Sequence, residues 1–169
     1  MDTLATNKPK LDLLRRWRTN CRRSQIANYA AAARYSKRNY LIGIPTVILS
    51  AIVGTSVFAA LGKADIHPYL QITVGLISVL SATLAALQTF LKWGEAAAKY
   101  ASTASVYGSV KRQLDHEIVK LECNEAVSEE VVAGIREQMD TLSREAPVVP
   151  GDIWERARGE AVAVDAEHG

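Results

Sequence analysis

The sequence predicts an all-α membrane protein in which a two-helix transmembrane hairpin is joined to a cytoplasmic helical bundle and coiled-coil stalk. Three observations predict it. Two stretches, Tyr40–Leu61 and Tyr69–Leu91, contain no charged residue. At about 1.5 Å per helical residue, each is long enough to cross a hydrocarbon layer of about 30 Å. Basic residues crowd one side of these stretches, and an apolar repeat of three and four residues follows the second. A soluble core would need further apolar elements to wrap both stretches, and the rest of this 169-residue chain is Ala-rich, basic or acidic.

In chain order, residues 1–9 are polar and expected to be disordered. Residues 10–39 read as a cytoplasmic helix, because Leu14, Trp17 and Cys21 recur at helical spacing and Ala27 and Ala30–Ala33 carry high helix propensity. The Arg cluster here (Arg15, Arg16, Arg18, Arg22, Arg23) suits anionic headgroups, since each cation near such a surface contributes on the order of 1 kcal/mol. No aromatic interleaving or nucleic-acid-binding motif accompanies it, so nucleic acid is not an expected partner.

Residues 40–61 and 69–91 are the two spans, and residues 62–68 are a short external loop that forces an antiparallel return. Ten Lys and Arg against two acids precede Tyr40. Lys92 and Lys99 follow the second span. The positive-inside rule therefore puts both termini in the cytoplasm. Tyr40, Tyr69 and Trp93 stand where an interfacial aromatic belt belongs. The first span is preceded by a charged segment too long for a signal peptide, so it is expected to stay in the mature chain. Pro45 is expected to kink it.

Each span has one small, weakly polar stripe and one greasy one. In the first span, Gly43, Thr46, Ser50, Gly54 and Val57 lie opposite Ile44, Ile48 and Ile52. In the second, Gln71, Gly75, Ser78, Ala82, Ala85 and Thr89 lie opposite Leu76, Leu80, Leu87 and Leu91. Two readings stay open for these stripes. They are helix-packing faces, where small residues let backbones approach, or they line a water-filled path in an oligomer. Neither span holds an ionisable group, which removes the means for a proton relay, an ion-coupled site or a voltage sensor. Any pore would select poorly.

Residues 92–157 are cytoplasmic helices. Trp93, Ala97, Tyr100, Ala104, Tyr107, Lys111, Leu114, Ile118 and Leu121 alternate at spacings of four and three, a heptad seam with one charged member. Its partner is either the N-terminal helix of the same chain or a neighbouring subunit. With no Pro between Tyr69 and Ala146, the second span is free to continue into this helix and would bend most readily at Gly94 or Gly108. Near Asn124 the repeat lapses. Ser128 before Glu129 and Glu130 marks a helix start, with Val131, Ile135, Met139 and Leu142 as its apolar stripe. Ala146–Gly151 ends it at two prolines. Asp152 caps a last short helix in which Trp154 docks, and residues 158–169 are an acidic tail expected to be disordered. From Glu122 onward there are twelve acids and four Arg; this acidic region and the basic arm either attract each other or a neighbouring subunit, or are two solvated faces.

No P-loop, dinucleotide fingerprint, nucleophile elbow or metalloprotease motif occurs. His67, His116 and His168 are scattered, and His116 with Glu117 reads as a solvated pair. Cys21 and Cys123 have no metal-ligand spacing and are expected to be reduced and unpaired. The chain is thus expected to be no enzyme, with no cofactor or metal, its partners being the lipid bilayer and further copies of itself.

A basic N-terminal helix, a short two-span hairpin, the stretch LQTFLKWGEAAAKYASTASVYGSVKRQLDHEI (Leu87–Ile118) and REAPVVPGDIW (Arg144–Trp154) together resemble the SLATT domain. That two-transmembrane effector domain is associated with SMODS nucleotidyltransferases and SLOG sensor domains in prokaryotic defence loci. The resemblance covers about Leu11 to Ala157 and carries no active-site residue to match. It implies a homo-oligomeric effector of anti-phage defence that forms a pore or disrupts the membrane, causing abortive infection. The activator it implies is a separate sensor or nucleotidyltransferase-type protein, or a nucleotide signal. The residues to which this function would attach are Gln71, Gly75, Ser78, Ala82, Thr89, Ser50 and Gly54 in the spans and Trp93, Tyr100, Tyr107, Leu114 and Ile118 in the seam. The alternative is a non-conducting membrane anchor or scaffold that presents a helical bundle to a partner.

Overall fold

A computed structural model describes residues 3–60 and 68–167 of the chain, with side chains for residues 8–56 and 68–160. The described residues form five α-helices and no strand: α1 (Thr3–Ala60), α2 (Pro68–Leu91), α3 (Trp93–Glu122), α4 (Glu129–Glu145) and α5 (Gly151–Glu167). The loop tip with Asp65 and His67 lies outside the described residues. Two compact units share these helices. One comprises residues 1–33 and 97–169, and the other residues 34–96.

Helix α1 is one uninterrupted element, not a separate arm and span. It starts at Thr3, so the backbone is helical through most of the stretch expected to be disordered, and α5 likewise carries the expected tail to Glu167. Ala161, Ala163 and Ala166 favour that extension through their helix propensity. Pro45 does not end α1. It removes one N–H from the ladder, and the next side chain, Thr46, donates its hydroxyl to the Ile42 carbonyl at 2.8 Å.

The first unit is a helical bundle. The heptad seam of α3 is its spine: Tyr100, Ala104, Tyr107, Leu114, Ile118 and Leu121 are buried. Its partners belong to the same chain, which answers the choice left open by the sequence. Leu14 and Cys21 of α1 and Val132 and Ile135 of α4 close one apolar cluster with it, and Leu11, Trp17, Met139 and Leu142 pack at its edge. Ion pairs fix an antiparallel register between α1 and α3, with Arg15 to Glu122 at 2.8 Å and Arg18 to Asp115 at 3.8 Å. Lys10 of α1 also pairs with Glu129. The basic arm and the acidic region are therefore partly joined and not merely two solvated faces.

Helix ends follow the expected chemistry with one exception. Asn124, at φ 61°, closes α3, while Glu125 N–H reaches the Lys120 carbonyl at 2.8 Å and Asn124 N–H the Leu121 carbonyl at 3.1 Å. This is the paired-bond termination that a left-handed residue makes possible. Ser128 caps α4 by accepting from Val131 N–H at 3.3 Å, and Ala146 is extended before Pro147. In α5 the cap is not Asp152. The Pro150 carbonyl takes the first bonds, from Ile153 and Trp154, while Asp152 sits one turn ahead of Arg156, which it meets at 3.3 Å. Ile153 and Ala157 are buried and Trp154 only half-buried, so docking is done mainly by the smaller side chains.

The break between α2 and α3 falls at Lys92 and not at a glycine. Helix α2 ends at Leu91, and Lys92, at φ 47°, separates it from α3. The ladder brackets this one residue, since Lys92 N–H donates to the Gln88 carbonyl at 3.3 Å and Ala96 N–H to the Lys92 carbonyl at 3.0 Å. Gly108 serves packing instead: a Cβ there would lie 2.5 Å from Gln25 Nε2.

Candidate functional site

The second unit contains the apolar second half of α1 together with α2. In each, only 6% of the most apolar 18-residue window is buried within the chain. A helix at the core of a soluble protein would be mostly covered. Here Leu41, Val47, Ile72, Leu76, Val79 and Phe90 all expose more than half their surface. Both helices are thus long and apolar enough to cross a membrane, and their apolar surface is left uncovered within the chain.

Small and polar groups hold the two helices together. Ser50 and Ser81 share a hydroxyl hydrogen bond at 2.7 Å, and a Cβ on Gly43 would lie 3.1 Å from Gln88 Nε2. Moving seven residues up α1, from Gly43 to Ser50, matches moving seven down α2, from Gln88 to Ser81. The pairing is therefore antiparallel with a heptad step. Thr46 and Ser81 are buried in the contact face, which needs no long side chains to interlock. At the Tyr40 end, the Arg38 guanidinium lies 5.9 Å from the ring centres of both Tyr35 and Trp93, within cation–π range.

The expected stripes divide between the two open readings. In α1, Gly43 and Ser50 meet α2 and Thr46 is buried, but a Cβ on Gly54 would meet nothing within 4 Å and the Val57 side chain lies outside those described, so the stripe packs over its first half. In α2 the stripe does not. Gln71, Gly75, Ala82 and Thr89 are exposed and only Ser78 is half-buried; a Cβ on Gly75 would meet nothing within 4 Å. Ala82 and Thr89 follow Ser81 and Gln88 by one residue, which at 3.6 residues per turn sets them about 100° around the helix from the contact face. Thr89 satisfies its hydroxyl on the Ala85 carbonyl at 3.0 Å, so its outward face is mostly methyl. Gln71 lies in the first turn of α2, at the end of the apolar segment and not midway along it.

Ser81 and Gln88, which make the contact, were not among the expected residues. Their signal was the heptad Val74, Ser81, Gln88, hidden because two polar residues were grouped with their small neighbours one position on.

In the bundle, the expected seam residues Tyr100, Tyr107, Leu114 and Ile118 converge on the core, and Tyr100 also donates its hydroxyl to the Val148 carbonyl at 2.7 Å, tying α3 to the α4–α5 connection. Trp93 is half-buried and serves Arg38 instead. Glu117 is buried, not solvated, and accepts from Lys120 at 3.0 Å, while His116 is exposed. Cys21 is buried and desolvation pushes its thiol up to about 11; Cys123 is exposed, and both are free. Among the described residues, no three His, Cys, Asp or Glu side chains converge on a metal-binding point.

These features define an all-helical protein with two helices long and apolar enough to cross a membrane. Comparison with protein-family models, curated proteins and solved structures gives no match to this chain.

Proposed function

We propose that this chain is a membrane effector of prokaryotic anti-phage defence. In this reading it forms a homo-oligomeric pore in the bacterial inner membrane with both termini in the cytoplasm, is opened by a separate sensor or nucleotide signal, and catalyses nothing. The SLATT resemblance supplies the biological setting. The observation that carries the pore is the position of the α2 stripe. Gly75, Ala82 and Thr89 are left outside the intrachain contact, while Ser81 and Gln88 supply that contact. A face of small and weakly polar residues beside a leucine face gives α2 one side for lipid and another for a neighbouring copy or water. Several copies are needed, because two helices enclose no path.

The test is to induce the full chain in bacteria loaded with a membrane-potential dye, alone and with its neighbouring gene. Rapid depolarisation is expected, suppressed by Ser78→Leu or Ala82→Leu at matched membrane levels. An intact potential in both settings contradicts the pore. Function that survives both Leu substitutions but not Tyr100 or Tyr107 changes would favour the anchor.

A further inference from the structure

The bundle carries two helix faces of opposite charge that it does not use. Lys10, Arg15 and Arg18 of α1 meet Glu129, Glu122 and Asp115 within the chain. Lys8, Arg16 and Arg23 make no ion pair among the described residues; Lys8 and Arg16 are exposed, and Arg23 is half-buried with an Nε that has no hydrogen-bond partner. On α4, the exposed Glu130, Glu137 and Glu145 are likewise without an ion pair among the described residues.

The two sets have the same spacing. Lys8, Arg16 and Arg23 are separated by eight and then seven residues, and Glu145, Glu137 and Glu130, read backwards, by eight and then seven. At 1.5 Å per residue these are steps of about 12 and 10.5 Å, and each triplet stays within about 80° of its helix circumference. Each face borders an open surface groove. A shallow groove of about 530 Å³ runs along α1, lined by Arg15, Arg16 and Arg23 together with one acid, Asp12. Another of about 560 Å³ lies between α3 and α4, lined by Val106, Val110, Glu137 and Glu145 among others. Gly134 sits between Glu130 and Glu137, and a Cβ there would meet nothing within 4 Å, so the face is open to close approach.

We infer that the basic face of α1 in one copy docks antiparallel on the acidic face of α4 in a second copy, pairing Lys8 with Glu145, Arg16 with Glu137 and Arg23 with Glu130. This rests on the homo-oligomeric reading above and gives it an interface. The two patches differ, so the contact is head-to-tail and propagates to a ring when the rotation closes.

The test uses the full chain in detergent micelles, with assembly mass measured by light scattering. Arg16→Glu with Arg23→Glu, and separately Glu130→Lys with Glu137→Lys, should each weaken self-association by at least about tenfold through like-charge contacts. Mixing the two variants should restore assembly, because every contact between unlike copies is again complementary. Helix content should be unchanged in each. In a Cys123→Ser background, Arg16→Cys should cross-link between copies to Glu137→Cys but not to Glu145→Cys. Single-face variants that assemble like the unchanged chain, or a mixture that stays dissociated, would overturn the contact. So would reversal that spares assembly but abolishes capture of a basic partner protein. Restored assembly without depolarisation would sink the pore while keeping this contact; depolarisation that survives both reversals would do the opposite.

Discussion

Leu114 on α3 and Leu76 on α2 are the same side chain on helices of 30 and 24 residues, yet Leu114 is fully buried and Leu76 is 67% exposed. The bundle follows the rules of a water-soluble domain: its apolar residues form a stripe, the stripe is covered, and ion pairs occupy the rim. The hairpin inverts the arrangement. Its small and hydroxyl-bearing residues make the internal contact, and its large apolar residues face outward, up to Phe90 at 84% exposure. In water the second arrangement has no driving force, because the hydrophobic effect would bury leucines before serines. In hydrocarbon it is the expected one, since lipid solvates leucine and close backbone approach supplies the contact. The hairpin's arrangement fits two helices that are long and apolar enough to cross a membrane.

The sharpest way to break this comparison is to truncate the same side chain in both regions. Leu114→Ala is expected to cost about 2–5 kcal/mol of bundle stability, the usual range for a buried leucine. Leu76→Ala is expected to cost well under 1 kcal/mol, because it leaves no cavity in the chain. Thermal unfolding in detergent, followed by near-ultraviolet dichroism, compares them, and equal losses would remove the distinction.

Cys21 gives the next largest effect. Its thiol holds its proton up to about pH 11, whereas in the unfolded chain it gives it up near 9.0. Above pH 9 the unfolded state therefore binds fewer protons than the folded one. Stability should fall as pH rises from 9 to 11, and alkylation in the folded protein should reach Cys123 only. Mass spectrometry after brief labelling at pH 8 checks the selectivity, and modification of Cys21 at the same rate would contradict its burial.

Tyr100→Phe removes the hydroxyl bond to Val148 and should cost about 1 kcal/mol, with faster proteolysis at the Ala146–Gly151 connection as its readout. Smaller still, Ser81→Ala should weaken the hairpin by about 0.6 kcal/mol, a typical value for one hydrogen bond between membrane helices. Arg15→Ala should change bundle stability by less than about 1 kcal/mol, since its pair with Glu122 is half exposed.

Legibility in the sequence also differed between the two regions. The α3 seam was readable residue by residue from Tyr100 to Leu121 because large apolar side chains repeat there against charged neighbours. The cap at Ser128 was equally plain, its chemistry being local, whereas near Asn124 only the lapse of the repeat was visible. The hairpin gave up its existence but not its faces. In α2 every face is uncharged, so periodicity alone did not separate Ser81 and Gln88, which meet α1, from Ala82 and Thr89, which do not. The break at Lys92 left no mark, because a left-handed lysine carries none of the signal that glycine does. Glu117 was misplaced for the opposite reason: a charged residue beside a seam looks solvated until Lys120 is seen to bond it.

The most direct test of the account is a scan of single cysteines along α2 from Val74 to Thr89, in a chain lacking Cys21 and Cys123, reconstituted in liposomes and probed with a membrane-impermeant thiol reagent. The account predicts labelling at positions 75, 78, 82 and 89 under activating conditions, and protection at 76, 80 and 87 on the lipid side and at 81 and 88 against α1. Uniform protection would contradict a water-filled path along the small-residue face, and uniform labelling would contradict a membrane-spanning helix.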